Sequence, residues 1–177
     1  MVALQRLFYL IDLLAVKIDI YLILDNIRSR ENVGSIFRTA DAAGVSKVYL
    51  CGITPRPPHE KISKTALGAD EYVPWEYHPQ TWRLLHKLKT KNGKLKIIGL
   101  ERFDKLTASR LKIRTQSIFK FKPKFPLALV LGNEVKGLSP KILKYCDKKI
   151  AIPMYGRKES LNVAVAAGVA LYQLNRF

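Results

Sequence analysis

The chain has 177 residues, 48% of them aliphatic, aromatic or cysteine, enough to bury the core of one compact domain and too apolar for a disordered composition. It carries 31 Lys and Arg against 14 Asp and Glu, a formal charge of +17, which points to a polyanionic partner, a nucleic acid or an anionic membrane surface. The two cysteines, Cys51 and Cys146, form no metal-ligand spacing and no disulfide framework, so no metal is expected and a reduced, cytoplasmic protein is the simplest reading.

The N-terminal stretch, residues 1–19, is apolar but interrupted by Arg6, Asp12 and Lys17. Its uncharged runs fall well short of the roughly 20 residues that cross a bilayer, so no membrane span is expected. Leu7, Leu10, Leu14 and Ile18 recur at helical spacing, which predicts an amphipathic helix in this extension. The folded domain is expected to cover residues 20–177.

Within that domain Tyr21–Leu24 reads as a buried strand, followed by the polar segment DNIRSRENVG and a helix over SIFRTADAAG closed by Gly44. Val48–Cys51 is a second strand, and GITPRPPHE a proline-rich loop. A short helix near Lys61–Leu67, a strand near Tyr72–Trp75, a helix over Pro79–Lys91 and a strand at Lys96–Leu100 follow. Leu127–Leu131 is wholly apolar, as in a strand covered on both faces. Ser139–Cys146 reads as a helix, Lys149–Pro153 as the last strand and Glu159–Asn175 as the last helix. This alternation predicts an α/β domain with a mostly parallel sheet flanked by helices.

The residues from Arg83 to Lys124 hold 14 bases against Glu101 and Asp104. At their C-terminal end Phe119, Phe121 and the following Phe125 are interleaved with lysines, a mixture that suits phosphates and unstacked bases as well as rings tucked into the core. His59, His78 and His86 fit no motif, and His59 reads as a surface-loop residue. No P-loop is present, and no glycine-rich dinucleotide signature follows a strand.

Three other segments carry the chemistry. In NIRSRENVGSIFRTADAAG, Asn32 is placed at the loop-to-helix junction, Gly34 permits close backbone approach, and Arg38 lies one to two turns inside the helix. By themselves these residues suit a helix cap and a surface arginine. In LALVLGNEVKGLSP, a buried strand runs into Gly132, Asn133, Glu134 and Gly137, at the carboxyl end where open parallel sheets bind ligands, and Gly132 would let a ligand approach the main chain. In IAIPMYGRKESLNVAVAAG, a strand ends at Ile152-Pro153, and Ser160, Leu161 and Asn162 open a helix of small residues.

Taken together, NxGxxxRTA, GNExxG and IPMxG…SLNVxVAAG resemble, in order, the three motifs of the SpoU/TrmH branch of the SPOUT methyltransferases. The resemblance spans about Ile20 to Arg176. It implies a SPOUT fold whose C-terminal part forms a deep trefoil knot, a bent S-adenosylmethionine in the knotted cleft, and a homodimer with each site near the interface. It implies transfer of a methyl group to a ribose 2′-hydroxyl of RNA, with tRNA favoured over rRNA by the small size of the chain. An RNA-binding module that kept the fold without turnover is the competing reading. By resemblance the cofactor-binding residues are Gly132, Ile152 and Leu161, bordered by Leu100 and Glu101. Arg38 is the key catalytic residue, and Asn32, Glu134, Ser160 and Asn162 shape the site. Arg38 either deprotonates O2′ or stabilises the oxyanion that develops there, and Glu134 orients Arg38 or Asn162.

Overall fold

The computed structural model describes residues 19–102 and 115–176. The predicted N-terminal helix lies outside the described residues, as does the middle of the basic stretch. In chain order the elements are β1 (Ile20–Asp25), α1 (Arg30–Ala42), β2 (Lys47–Cys51), α2 (Glu60–Ala66), α3 (Ala69–Tyr72), β3 (Trp75–His78), α4 (Thr81–Lys91) and β4 (Lys96–Leu100). Further along the chain come β5 (Thr115–Ser117), a 3-10 turn (Ile118–Lys120), β6 (Leu127–Leu131), α5 (Pro140–Leu143), β7 (Lys148–Ala151) and α6 (Val163–Leu174).

The strands form one sheet in the order β3-β2-β1-β6-β4-β7-β5, and every pairing is parallel. A parallel sheet is stable when both faces are covered, and side-chain alternation shows how these are. Leu22 and Leu24 of β1, with Leu127, Leu129 and Leu131 of β6, pack against Ile36 and Phe37 of α1, Ile62 of α2 and Leu171 of α6. The intervening Ile23, Ala128 and Val130 face the other way, onto Leu84 and Leu85 of α4 and Ile142 of α5. All five β6 residues are therefore buried, as their unbroken apolar run predicts.

Helix ends follow local chemistry. Ser29 caps α1, its hydroxyl accepting the Asn32 amide at 3.1 Å. His59 caps α2 through Nδ1, which gives a structural role to a residue that fits no motif. Gly34 does permit a close approach: a Cβ there would run into Thr65 Oγ1 and the Ile62 carbonyl, so α1 and α2 pack with almost no gap.

Several boundaries differ from the sequence expectations. The strand expected at Tyr72–Trp75 begins at Trp75, because Ala69–Tyr72 form a helical turn in which the Asp70 carboxylate accepts from Ser63 at 2.9 Å. The helix expected over Ser139–Cys146 is a single turn ended before the bend into β7. The last helix begins at Val163 instead of Glu159, since Asn162 caps it and holds residues 159–161 outside the helix. β5 was not expected; it is three residues long and pairs only with β7 at the sheet edge. The phenylalanines divide: Phe121 is buried, Phe125 packs on the core, and Phe119 is exposed.

Candidate active site

The carboxyl ends of β4, β6 and β7 and the start of α6 border an open cleft. All five expected cofactor-binding residues, Leu100, Glu101, Gly132, Ile152 and Leu161, line it, with Glu134 and Ser160. Met154, Glu159, Val163 and Ala166 line it as well. Val163 and Ala166 share one helix face, but that pairing is readable only once Asn162 is known to be the cap.

The loop between β6 and α5 forms one wall. Its shape depends on two glycines and one carboxylate. A Cβ on Gly132 would sit 2.5 Å from the Gly137 carbonyl carbon and 2.6 Å from the Leu138 nitrogen. The loop folding back on itself thus requires a glycine at 132, a residue that also lines the cleft. Gly137 has φ of 66°, a left-handed conformation that glycine adopts at little cost. Glu101 Oε1 then accepts the Leu138 amide at 2.5 Å, tying the end of β4 to the loop.

At the mouth of the cleft the three motif segments meet in one hydrogen-bonded chain. Asn162 Nδ2 donates to Asn32 Oδ1 at 3.1 Å, and Asn32 Nδ2 donates to Glu134 Oε1 at 3.3 Å. Glu134 also accepts the backbone amides of Arg28 and Ser29 at 3.3–3.5 Å. Asn162 Oδ1 accepts the Ala164 amide at 2.9 Å, so one side chain caps α6 and joins the site. Two expectations are corrected here. Asn32 sits in the first turn of α1, with Ser29 as the cap, and Glu134 orients Asn32 and not Arg38 or Asn162. Arg38 is exposed on α1 and does not line the cleft of its own chain. Its neighbour Thr39 lies against α6, where a Cβ on Gly168 would be 3.6 Å from Thr39 Cγ2.

The cleft is acidic on a strongly basic protein. Glu101, Glu134 and Glu159 line it against the single cation Arg102. Burial pushes the Glu101 carboxyl above its ordinary range, and the Leu138 and Arg102 amides with the nearby cations Arg102 and Lys149 oppose that rise. Among the described residues, no cluster of three or more His, Cys, Asp or Glu is placed to hold a metal ion, and no helix is long and apolar enough to cross a membrane.

The model of the SpoU rRNA methylase family matches residues 19–172. The chain belongs to this family. Among SpoU relatives it is 35% identical over 159 residues to a tRNA (guanosine(18)-2′-O)-methyltransferase of Aquifex aeolicus, a match covering 89% of this chain and 69% of the relative. It is 36% identical to the 23S rRNA (guanosine-2′-O-)-methyltransferase RlmB of Haemophilus influenzae, covering 88% of this chain and 58% of that enzyme. The SpoU methyltransferase AviRb of Streptomyces viridochromogenes, solved in complex with the cofactor AdoMet, superposes with a TM-score of 0.78 at 27% identity, covering 93% of this chain and 63% of AviRb. The chain thus spans about three-fifths to two-thirds of the length of these SpoU relatives.

Proposed function

We propose that this chain is an RNA ribose 2′-O-methyltransferase that uses S-adenosylmethionine. One observation carries the reading: Asn32, Glu134 and Asn162, from three separate motifs, join at the mouth of an acidic cleft lined by Gly132, Ile152 and Leu161. The names of its relatives, on tRNA and on rRNA, support RNA as the substrate, and we take tRNA first because the tRNA-named relative is the one covered more fully.

The cleft suits the methyl donor. Leu100, Leu131, Ile152 and Val163 offer apolar surface for an adenine ring, while Glu101, Glu134 and Glu159 offer negative charge to a ligand carrying a sulfonium and an ammonium. When bound, S-adenosylmethionine supplies a methyl group already activated by its positive sulfur. The chain's own residues then have to orient the ribose and manage charge at O2′. Glu134 holds the loop preceding α1 by its Arg28 and Ser29 amides and fixes the amide orientation of Asn32. Asn32, Ser160 and Asn162 present polar atoms to the sugar and its phosphate. A guanidinium is a poor proton acceptor, so the role we propose for Arg38 is electrostatic stabilisation of the developing O2′ oxyanion.

We further propose a homodimer in which Arg38 reaches the site of the partner copy. α6 is apolar on nearly every side, and such a helix is normally covered all round. Yet Leu161, Val165 and Tyr172 are exposed, at 38%, 53% and 56%, beside the α1 surface that carries Arg38. A second α6 with its α1 would cover that stripe. The C-terminal trefoil knot belongs to the same reading, supported by the placement of β4 between β6 and β7 and by the meeting of the loops after β6 and β7 around one cleft. The two buried free thiols support a cytoplasmic location.

The test is incubation of the purified chain with S-adenosylmethionine and total tRNA or rRNA, followed by nucleoside mass spectrometry. A 2′-O-methylated nucleoside is expected. Failure to take up the donor in calorimetry overturns the reading, and RNA binding with donor uptake but no product leaves the fold as a binding module.

A further inference from the structure

A second cleft opens on the same edge of the sheet, on the other side of the loop that follows β6. It lies where β1 and β6 run side by side, with β1 leading to a helix on one face of the sheet and β6 to a helix on the other. In open α/β sheets that reversal creates a ligand crevice. Its charge is opposite to that of the first cleft: Arg28, Lys136 and Lys141 stand exposed on its rim, and Asp25 is the one acid that lines it.

Asp25 is the unusual feature. It is 4% exposed at the end of β1. Its Oδ1 accepts from Asn26 Nδ2 at 2.9 Å and from the Thr81 hydroxyl, while Oδ2 has no hydrogen bond among the described residues and is not sealed off from the cleft. Because Oδ2 opens on the cleft with no partner among the described residues, it is an acceptor that an N–H group arriving with a ligand can reach. Beside it lies Trp82, half-buried, with Lys141 Nζ 3.9 Å from its ring centre. The first turn of α4 opens onto the same space, and its N-cap, Gln80, makes no side-chain capping bond.

We propose that this second cleft binds a nucleotide of the RNA that flanks the methylated one. An N–H group on the edge of its base is accepted by Asp25 Oδ2, and its phosphates are met by Arg28, Lys136 and Lys141. The inference rests on the RNA methyltransferase reading and adds a recognition site separate from the methyl-donor cleft. A base donates to the open carboxylate oxygen, Trp82 stands in the same cleft, and the exposed cations Arg28, Lys136 and Lys141 line its rim.

Asp25→Asn tests the idea while preserving shape. The amide oxygen can still accept from Asn26 and Thr81, which turns an NH2 group toward the cleft in place of an acceptor. The probe is a labelled single-stranded RNA of about eight nucleotides, a length in the range one such groove holds, titrated against the full chain at several salt concentrations. S-adenosylmethionine affinity is measured in parallel by calorimetry. Asp25→Asn should weaken RNA binding about tenfold with donor affinity unchanged. Lys136→Ala/Lys141→Ala should lower the salt dependence by about two phosphate contacts, and this arm stands even if the Asp25 variant misfolds. RNA affinity and salt slope equal to wild type in both variants overturn the proposal, as does parallel loss of RNA and donor by a folded Asp25→Asn. A wild-type chain that takes up donor and RNA while the variants match it removes the inference alone; a wild-type chain that takes up neither removes the methyltransferase reading as well.

Discussion

Asn162 donates to Asn32 across 3.1 Å of space and 130 residues of sequence. The same Asn162 side chain accepts two amides at the start of α6, from Ala164 and Val165. Its two functions separate by atom: the oxygen serves the helix and the nitrogen serves the site. Asp at this position keeps the cap but places a second carboxylate near Glu134. We expect Asn162→Asp to stay within about 0.5 kcal/mol of wild type, since Asp and Asn cap almost equally well. Its single-turnover methylation should fall sharply. Asn162→Ala should lose activity and about 1 kcal/mol of stability together. Chemical denaturation paired with single-turnover rates distinguishes the two; full activity in Asn162→Asp would remove the nitrogen from the mechanism.

Gly132→Ala forces a Cβ into the backbone of Gly137 and Leu138, atoms that cannot swing aside. Overpacking of this kind costs roughly 1–3 kcal/mol, and here the strain falls on the wall of the donor cleft. S-adenosylmethionine binding, followed by calorimetry, should weaken by more than tenfold. Gly156→Ala, where a Cβ meets nothing within 4 Å, is the control and should bind normally.

Glu101 gives a prediction whose sign can be worked out. Burial raises its carboxyl above the ordinary 4.5, so the folded chain holds this proton more tightly than the unfolded chain does. Its contribution is therefore fully present below 4.5 and is lost as pH rises through the raised folded value. Glu101→Gln removes that dependence while keeping an oxygen for the Leu138 amide. Thermal midpoints of the two proteins should converge near about pH 4, with the variant melting higher at neutral pH. Donor affinity should weaken because one negative charge leaves the cleft. A variant that melts lower than wild type at neutral pH would show that the carboxylate's bond to the loop outweighs its burial.

Burial also pushes the Cys51 and Cys146 thiols up to about 12. Both are free and buried. Neither forms thiolate near neutral pH, so the native chain should resist alkylation by iodoacetamide. Mass spectrometry should find no label on the native chain and two labels after denaturation in guanidinium. Rapid native labelling of either thiol would contradict its burial with Leu84, Leu85 and Ile142 on the sheet face that α4 and α5 cover.

Arg38→Ala and Glu134→Ala should each abolish methylation. If Arg38 acts across a two-fold interface, mixing the inactive variants after subunit exchange restores intact sites in the heterodimers. Statistical mixing predicts about a quarter of wild-type activity. No recovery, in a mixture shown by native mass spectrometry to have exchanged, would return Arg38 to its own chain's site.

Much of this site was legible before any coordinates. The apolar run Leu127–Leu131 announced a central strand, and the glycines and polar residues after it marked a ligand-binding edge. The motif resemblance named every residue of the Asn32–Glu134–Asn162 chain and seven residues that line the cleft, Glu134 among them. These were readable because local pattern and residue type report what a short segment must do. What sequence could not supply was which atoms meet across segments. Gly132 meets the backbone of Gly137, Glu134 accepts from Asn32, and Arg38 stays off the lining of its own cleft, because neighbouring parallel strands set the loops beside one another irrespective of chain distance. β5 escaped notice since three residues at an edge carry too little periodicity, and the cation-rimmed cleft over Asp25 exists only once β1, α4 and the loop after β6 have been brought together.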